Sequence, residues 1–317
     1  MSVDNNREHL YYIDILRVLS VSAVIAGHVY EEQVYRFYFS VLMFTAISGG
    51  LMLSHERIDI KKLYTRNILR IVTAFAFWST LYSVIEHVLI PLADGGKVQI
   101  KLVVTSIIEG HFHLWYCYMI AGLFILAPFI KAALDHDEKT GLYFMVVAFL
   151  FSVLIPSLQG FGPLAFTTRI TDNIGLDGFE FMMYFVMGYF MMKIKKDERT
   201  EKLILIAGCP VVLLFVLFVG TTMRPVSESL FVAWLFLLAR FFFRVKNRRA
   251  AALLVTLGDA VFGVYLIHEI FDILFDRLFG IPVMEIQYLA KYFFMLIASF
   301  ACIIPIRRIK SFARFIS

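Results

Sequence analysis

Cysteine is scarce in this chain. Three are present, Cys117, Cys209 and Cys302, each inside an apolar stretch and with no paired spacing. That pattern implies neither a disulfide framework nor a zinc site. Charge is thin as well. Only 17% of residues are Asp, Glu, Lys or Arg against 60% hydrophobic, and the mean hydropathy is +0.77. A soluble domain of 317 residues needs far less apolar surface. The chain has no Gly-rich phosphate loop, P-loop, GxSxG elbow or zinc signature, so hydrolase and ATPase readings have no support. Asp4, Arg7 and Glu8 precede the first apolar span, and no small-residue cleavage site follows it. That span is expected to stay as a membrane anchor and not to be removed as a signal peptide. Internal repeats and low-complexity linkers are also missing.

What the chain has in abundance is long apolar runs. They predict an all-α polytopic membrane protein, a bundle of about ten transmembrane helices in one domain over residues 1–317. The spans fall near 11–30, 36–54, 68–90, 114–134, 142–158, 178–194, 203–220, 226–243, 257–278 and 285–306. The longest gap, about 20 residues, is too short for a soluble domain. The net charge of +5 comes from basic residues in short loops, a topological signal and not a nucleic-acid surface. With the N-terminus inside, segments 1–10, 55–70, 131–141, 193–202, 240–256 and 307–317 carry most of the Lys and Arg. The expected location is the cell (inner or plasma) membrane, multi-pass, with both termini cytoplasmic.

The stretch Tyr12–Tyr30, YIDILRVLSVSAVIAGHVY, is apolar enough to span a bilayer yet carries Asp14, Arg17 and His28. Eleven steps from Arg17 to His28 turn about 1100°, within about 20° of whole turns, so the two side chains share one face roughly 16 Å apart. Asp14 sits one turn before Arg17 on nearly the same stripe. A charge in hydrocarbon costs about 2.5–3.5 kcal/mol on insertion scales, so such a stripe is expected to face a protein interior or a wet cavity. The bland alternative, left open at this point, has the three residues as interfacial anchors at the two helix ends.

Other polar groups punctuate the spans. Ser48 and Gly49 within FTAISGG suit close helix packing. Lys61, Lys62, Arg66 and Arg70 form a basic cluster, with Arg66 and Arg70 at i, i+4. Positive-inside topology and contact with anionic membrane lipids explain it, and so does a phosphate cradle. His111, His113 and Trp115 stand where loop meets helix, and the i, i+2 spacing of the two His disfavours a two-His metal site on a helix. An aromatic belt is the simpler account of that stretch. His268 and Glu269 close the apolar run LGDAVFGVYLIHEIF. The segment 160–180 is polar enough to touch a substrate, though most such loops are merely solvated.

YIDILRVLSVSAVIAGH resembles the opening helix of the acyltransferase 3 family, integral-membrane enzymes that acylate cell-surface glycans. That family carries a basic residue, ten intervening residues and a His, and Arg17 and His28 match this spacing. Asp14 matches an acidic residue often found just before it. HLWY at 113–116 and the Tyr265, Leu266, His268 pattern resemble later family segments. Two positions depart: Val72 and Thr73 stand where a Pro is usual, and Phe262 where a Ser is common. The resemblance runs over nearly the whole chain and implies an O-acyltransferase, acetyl by preference, with acetyl-CoA as donor and no metal. It casts His28 as the base or a transient acyl carrier. Arg17 would grip the donor's polar arm or orient a carbonyl, held by Asp14, and Arg66 and Arg70 would meet coenzyme A phosphates. Trp115, His113, His268 and Glu269 would shape the site for a glycan or lipid-linked sugar. The transferase domain fused outside the membrane in some relatives is not expected here. A transporter or flippase of a small polar solute or lipid-linked sugar is the second reading, because a charged stripe in a bundle also suits a transport path.

Overall fold

The computed structural model describes residues 9–158, 177–309 and Phe315. Among these, the regular elements are helices, with no strand. In order they are α1 (Tyr11–Val29), α2 (Phe39–Leu53), α3 (Ile60–Ala93), α4 (Ile100–Glu109), α5 (Trp115–His136), α6 (Glu138–Leu158), α7 (Glu180–Lys193), α8 (Glu198–Phe218), α9 (Arg224–Phe242), α10 (Arg248–Phe279) and α11 (Glu285–Ile306). The fold is all-α and multi-pass. Among the described residues, eight stretches are long and apolar enough to cross a membrane, taking Ile100–His136 as one.

By length and apolarity the described residues thus give about eight spans against the expected ten, and the two that fall short are α2 and α7. They have 15 and 14 residues, so each rises only about 21–22 Å against a hydrocarbon core of about 30 Å. These two short helices lie against each other inside the bundle. A Cβ on Gly49 would stand 1.9 Å from the Phe185 carbonyl oxygen, and one on Gly188 would stand 1.8 Å from that of Ala46. The small residues of FTAISGG therefore serve backbone-to-backbone contact. Apolar side chains on the outer helices face the other way. Ile206, Leu213 and Val216 of α8 and Phe293 and Ile297 of α11 are exposed, as a lipid-facing surface requires.

α1 packs against α2, α9, α10 and α11, which takes its polar stripe out of lipid. Leu16, Val21 and Ile25 are fully buried beside that stripe. α10 begins at Asn247, whose side chain accepts the N–H groups of Arg249 (2.8 Å) and Ala250 (3.3 Å) and so satisfies two free donors of the first turn. Between α3 and α5, where the sequence reading placed no span, lies α4. The Ser79 hydroxyl donates to the carbonyls of Ser106 (3.1 Å) and Ile107 (2.6 Å), and that of Ser83 donates to Val103 (2.8 Å). These bonds strap α4 to α3. Gly110, at φ 80°, then turns the chain into α5 and delivers His111 and His113 to the interior.

Candidate active site

Asp14 is buried against α10, where Gly258 leaves it room; a Cβ on Gly258 would stand 2.6 Å from Asp14 Oδ1. That carboxylate lies 3.6 Å from Arg17 Nη1, and its other oxygen lies 2.5 Å from His9 Nε2. Arg17 is thus held from behind while its side chain stays 32% exposed. The exposure is not to lipid. Arg17 lines a cavity of about 310 Å³ with Arg70, Arg307, Asp259, Tyr116 and Tyr265. Arg307 Nη2 lies 3.4 Å from Asp259 Oδ2, and the Arg70 guanidinium sits 5.8 Å over the Phe262 ring. Three guanidinium groups against one carboxylate leave the cavity cationic, a setting that attracts phosphate.

Arg66 does not join this lining and is exposed. Arg66 lies in a wider, π-helical turn over residues 63–68, and Arg70 in the α-helical stretch that follows.

At the other end of the α1 stripe, four histidines and two glutamates converge. His28 Nδ1 lies 3.4 Å from Glu269 Oε1, and His268 Nε2 lies 3.2 Å from the same oxygen. His268 Nδ1 is 2.7 Å from the Tyr265 carbonyl, so it carries the proton and donates. His111 Nε2 lies 3.1 Å from Glu86 Oε1, and His111 Nδ1 lies 2.7 Å from His113 Nδ1. His113 Nε2 is buried with no hydrogen-bond partner among the described residues, whereas His268 Nε2 and Glu269 Oε1 face each other. The ring of His268 stands 5.1 Å from that of His28 and 5.0 Å from that of His113. Glu269 Oε1 and the nitrogens of His28 and His268 lie within 4.8 Å of one another, close enough to share one ion.

Tyr265 joins the two ends. Its ring lines the arginine cavity, its hydroxyl donates to the His113 carbonyl, and its own carbonyl accepts from His268. Tyr116 stands 5.7 Å from it, centroid to centroid. An arm reaching from the cavity toward His28 must pass these two rings.

The structure therefore brings His28, His113, His268 and Glu269 into one chamber, and Arg17 and Arg70 into one cavity with Asp14 behind. Trp115 stands apart, 42% exposed and packed on Phe181 at 5.7 Å. Most of the 160–180 segment lies outside the described residues. Sequence reasoning did not single out Glu86 or Arg307, nor Lys291 as the partner of Asp272 (2.9 Å) and Asp276 (2.8 Å). The signal was available for the last group. Asp272 and Asp276 follow Glu269 at i+3 and i+7, so three carboxylates share one face of a membrane helix.

One comparison with known proteins places the chain. The family model described as an acyltransferase domain, of the acyltransferase 3 type, matches residues 10–308. No curated protein and no solved structure matches the chain.

Proposed function

The chain belongs to the acyltransferase 3 family and is a membrane acyltransferase, and from that we propose a specific reaction. It moves an acyl group, acetyl by preference, from a coenzyme A thioester to a hydroxyl of a cell-surface or lipid-linked glycan. The observation that carries this reading is the placement of a cationic cavity and a His–Glu pair at the two ends of one α1 stripe, meeting at Tyr265.

The cavity takes the donor. Arg70 and Arg307 meet its phosphates, and Arg17, steadied by Asp14, grips the polar arm or the thioester carbonyl. Glu269 accepts the Nδ1 proton of His28, which leaves Nε2 free to act as base. His28 takes the acceptor hydroxyl proton as the oxygen attacks the thioester carbonyl. Collapse of the adduct expels the coenzyme A thiolate, to which the His28 imidazolium gives the captured proton, leaving the imidazole neutral for the next turnover. This role needs the His28 nitrogen free of metal, and we assign no metal to the reaction.

The orientation follows from the loop charges. The arginine end faces the cytoplasm, where coenzyme A thioesters are made, and the histidine end faces outward. His113 and His268 line the acceptor side, with Trp115 at its edge and Arg66 as an outlying phosphate contact. Purified protein given radiolabelled acetyl-CoA tests the reaction. Binding followed by release of coenzyme A supports it; a transporter of small solutes would neither bind the thioester nor release coenzyme A.

A further inference from the structure

Resting on the reading of His28 as the base, we propose that His28, His268 and Glu269 also form a binding site for a divalent ion of the zinc class, and that the ion switches the transferase off. In the proposed reaction Glu269 holds a proton on His28 Nδ1, which keeps the Nε2 lone pair for the acceptor. A metal on Nδ1 reverses that tautomer. A neutral imidazole has one proton, so once Nδ1 is a ligand the proton sits on Nε2 and the base has no lone pair left.

The donor atoms already have the spacing. Glu269 Oε1 lies 3.4 Å from His28 Nδ1 and 3.2 Å from His268 Nε2. Zinc bonds of about 2.0–2.1 Å in a tetrahedron put neighbouring ligand atoms roughly 3.3 Å apart. Two imidazoles on one such ion have ring centres roughly 5 Å apart, and those of His28 and His268 stand 5.1 Å apart. The three donor atoms lie within 4.8 Å of one another. A rotation of His28, whose side chain is 22% exposed, closes the remaining N···N edge. Two imidazoles and one carboxylate are a donor set that suits zinc.

A second observation asks for a cation at the same place. His268 Nδ1 donates to the Tyr265 carbonyl at 2.7 Å, so Nε2 is the nitrogen turned to Glu269. A bare Nε2 would set a lone pair against a carboxylate oxygen, with both side chains buried. A cation belongs between the two: a proton in the catalytic form, the metal ion in the silent one. The bond to Tyr265 is then the outer contact that orients a metal-binding histidine. His113 serves the fourth position. Glu86 Oε1 accepts from His111 Nε2 at 3.1 Å, and His111 Nδ1 accepts from His113 Nδ1 at 2.7 Å, so His113 Nε2 keeps a lone pair. That atom is buried with no hydrogen-bond partner among the described residues, in a ring 5.0 Å from that of His268. It is the acceptor for a water bound to the ion. The protons balance. His268 loses its Nε2 proton to water, and His28 exchanges its Nδ1 proton for one on Nε2. One proton leaves as one ion enters.

The test uses the full chain without a histidine tag, in nanodiscs, stripped with EDTA and then given zinc chloride. Equilibrium dialysis should find one zinc per chain. Glu269→Gln and His268→Ala should each weaken binding at least about tenfold. His136→Ala, an exposed histidine at the end of α5, should not. With radiolabelled acetyl-CoA as donor and methyl β-glucoside at high concentration as probe acceptor, bound zinc should cut coenzyme A release about 10²-fold or more. Acetyl-CoA affinity should be unchanged, and EDTA should restore release. Histidine 15N spectra should show the His28 proton at Nδ1 without zinc and at Nε2 with it. Failure to bind one zinc per chain, or equal affinity in the wild type and both site variants, would overturn the site. Undiminished release from zinc-loaded protein would overturn the switch. If the metal-free wild type releases no coenzyme A, the transferase reading fails instead. The site is then judged by stoichiometry, by the two variants and by the His28 tautomer.

Discussion

Glu269 Oε1 stands 3.4 Å from His28 Nδ1, joining α10 to α1 across the core of the bundle. The contact fixes which nitrogen of His28 holds a proton and which faces the acceptor. In the proposed reaction Glu269 acts through His28 as a positioning residue. Glu269→Gln keeps the shape and removes the charge. Turnover should fall about 10²–10⁴-fold, with acetyl-CoA binding unchanged and the pH profile displaced. An unaltered pH profile would show that Glu269 only packs.

Arg66 and Arg70, in the first turns of α3, should separate in a binding assay. Arg70→Ala and Arg307→Ala remove cavity groups and should each weaken acetyl-CoA binding about tenfold, the scale of a charge-assisted hydrogen bond of about 1.5–3 kcal/mol. Arg66→Ala should weaken it less, because Arg66 lies outside the lining. Equal losses for Arg66 and Arg70 would put Arg66 in the donor site as well.

The α2–α7 contact should be intolerant of a single methyl group. Gly188→Ala places a Cβ on the Ala46 carbonyl and should lower thermal stability in detergent by about 1–3 kcal/mol. Gly122→Ala, with nothing within 4 Å of the added carbon, should be neutral. A silent Gly188→Ala would mean the two helices are not in backbone contact.

Orientation has a simple check. A cysteine placed at position 247, in the basic segment before α10, should be protected from an impermeant reagent added outside intact cells. Efficient labelling there would turn the assignment of donor and acceptor sides around.

The all-α membrane class was legible because nothing else explains so much apolar sequence, and the α1 stripe because helical geometry alone aligns Arg17 with His28. The partners of those residues were only partly legible. Glu269 was flagged by its neighbour His268 and assigned to the acceptor. Its contact with His28 joins positions 241 apart in the chain, which no local pattern encodes. Glu86 looked like an ordinary polar residue near a span end until α4 and Gly110 folded His111 onto it. Arg66 and Arg70 differ in that Arg70 lines the cavity and Arg66 does not, a distinction the i, i+4 spacing alone does not carry. Two of the ten spans read from sequence, α2 and α7, are apolar but shorter than the membrane-length helices, and they are held by glycine contacts.

The central claim is that α1 carries a donor-gripping arginine at one end and an acceptor-side base at the other. The most direct measurement is acetyl-CoA binding and coenzyme A release on the same purified variants. His28→Ala should lose transfer by about 10²–10⁴-fold while binding acetyl-CoA almost as the wild type does. Arg17→Ala should lose both, and Arg17→Lys should recover only part, because an ammonium keeps the charge without the planar fork. Near-normal turnover in His28→Ala, or full acetyl-CoA affinity in Arg17→Ala, would contradict the account.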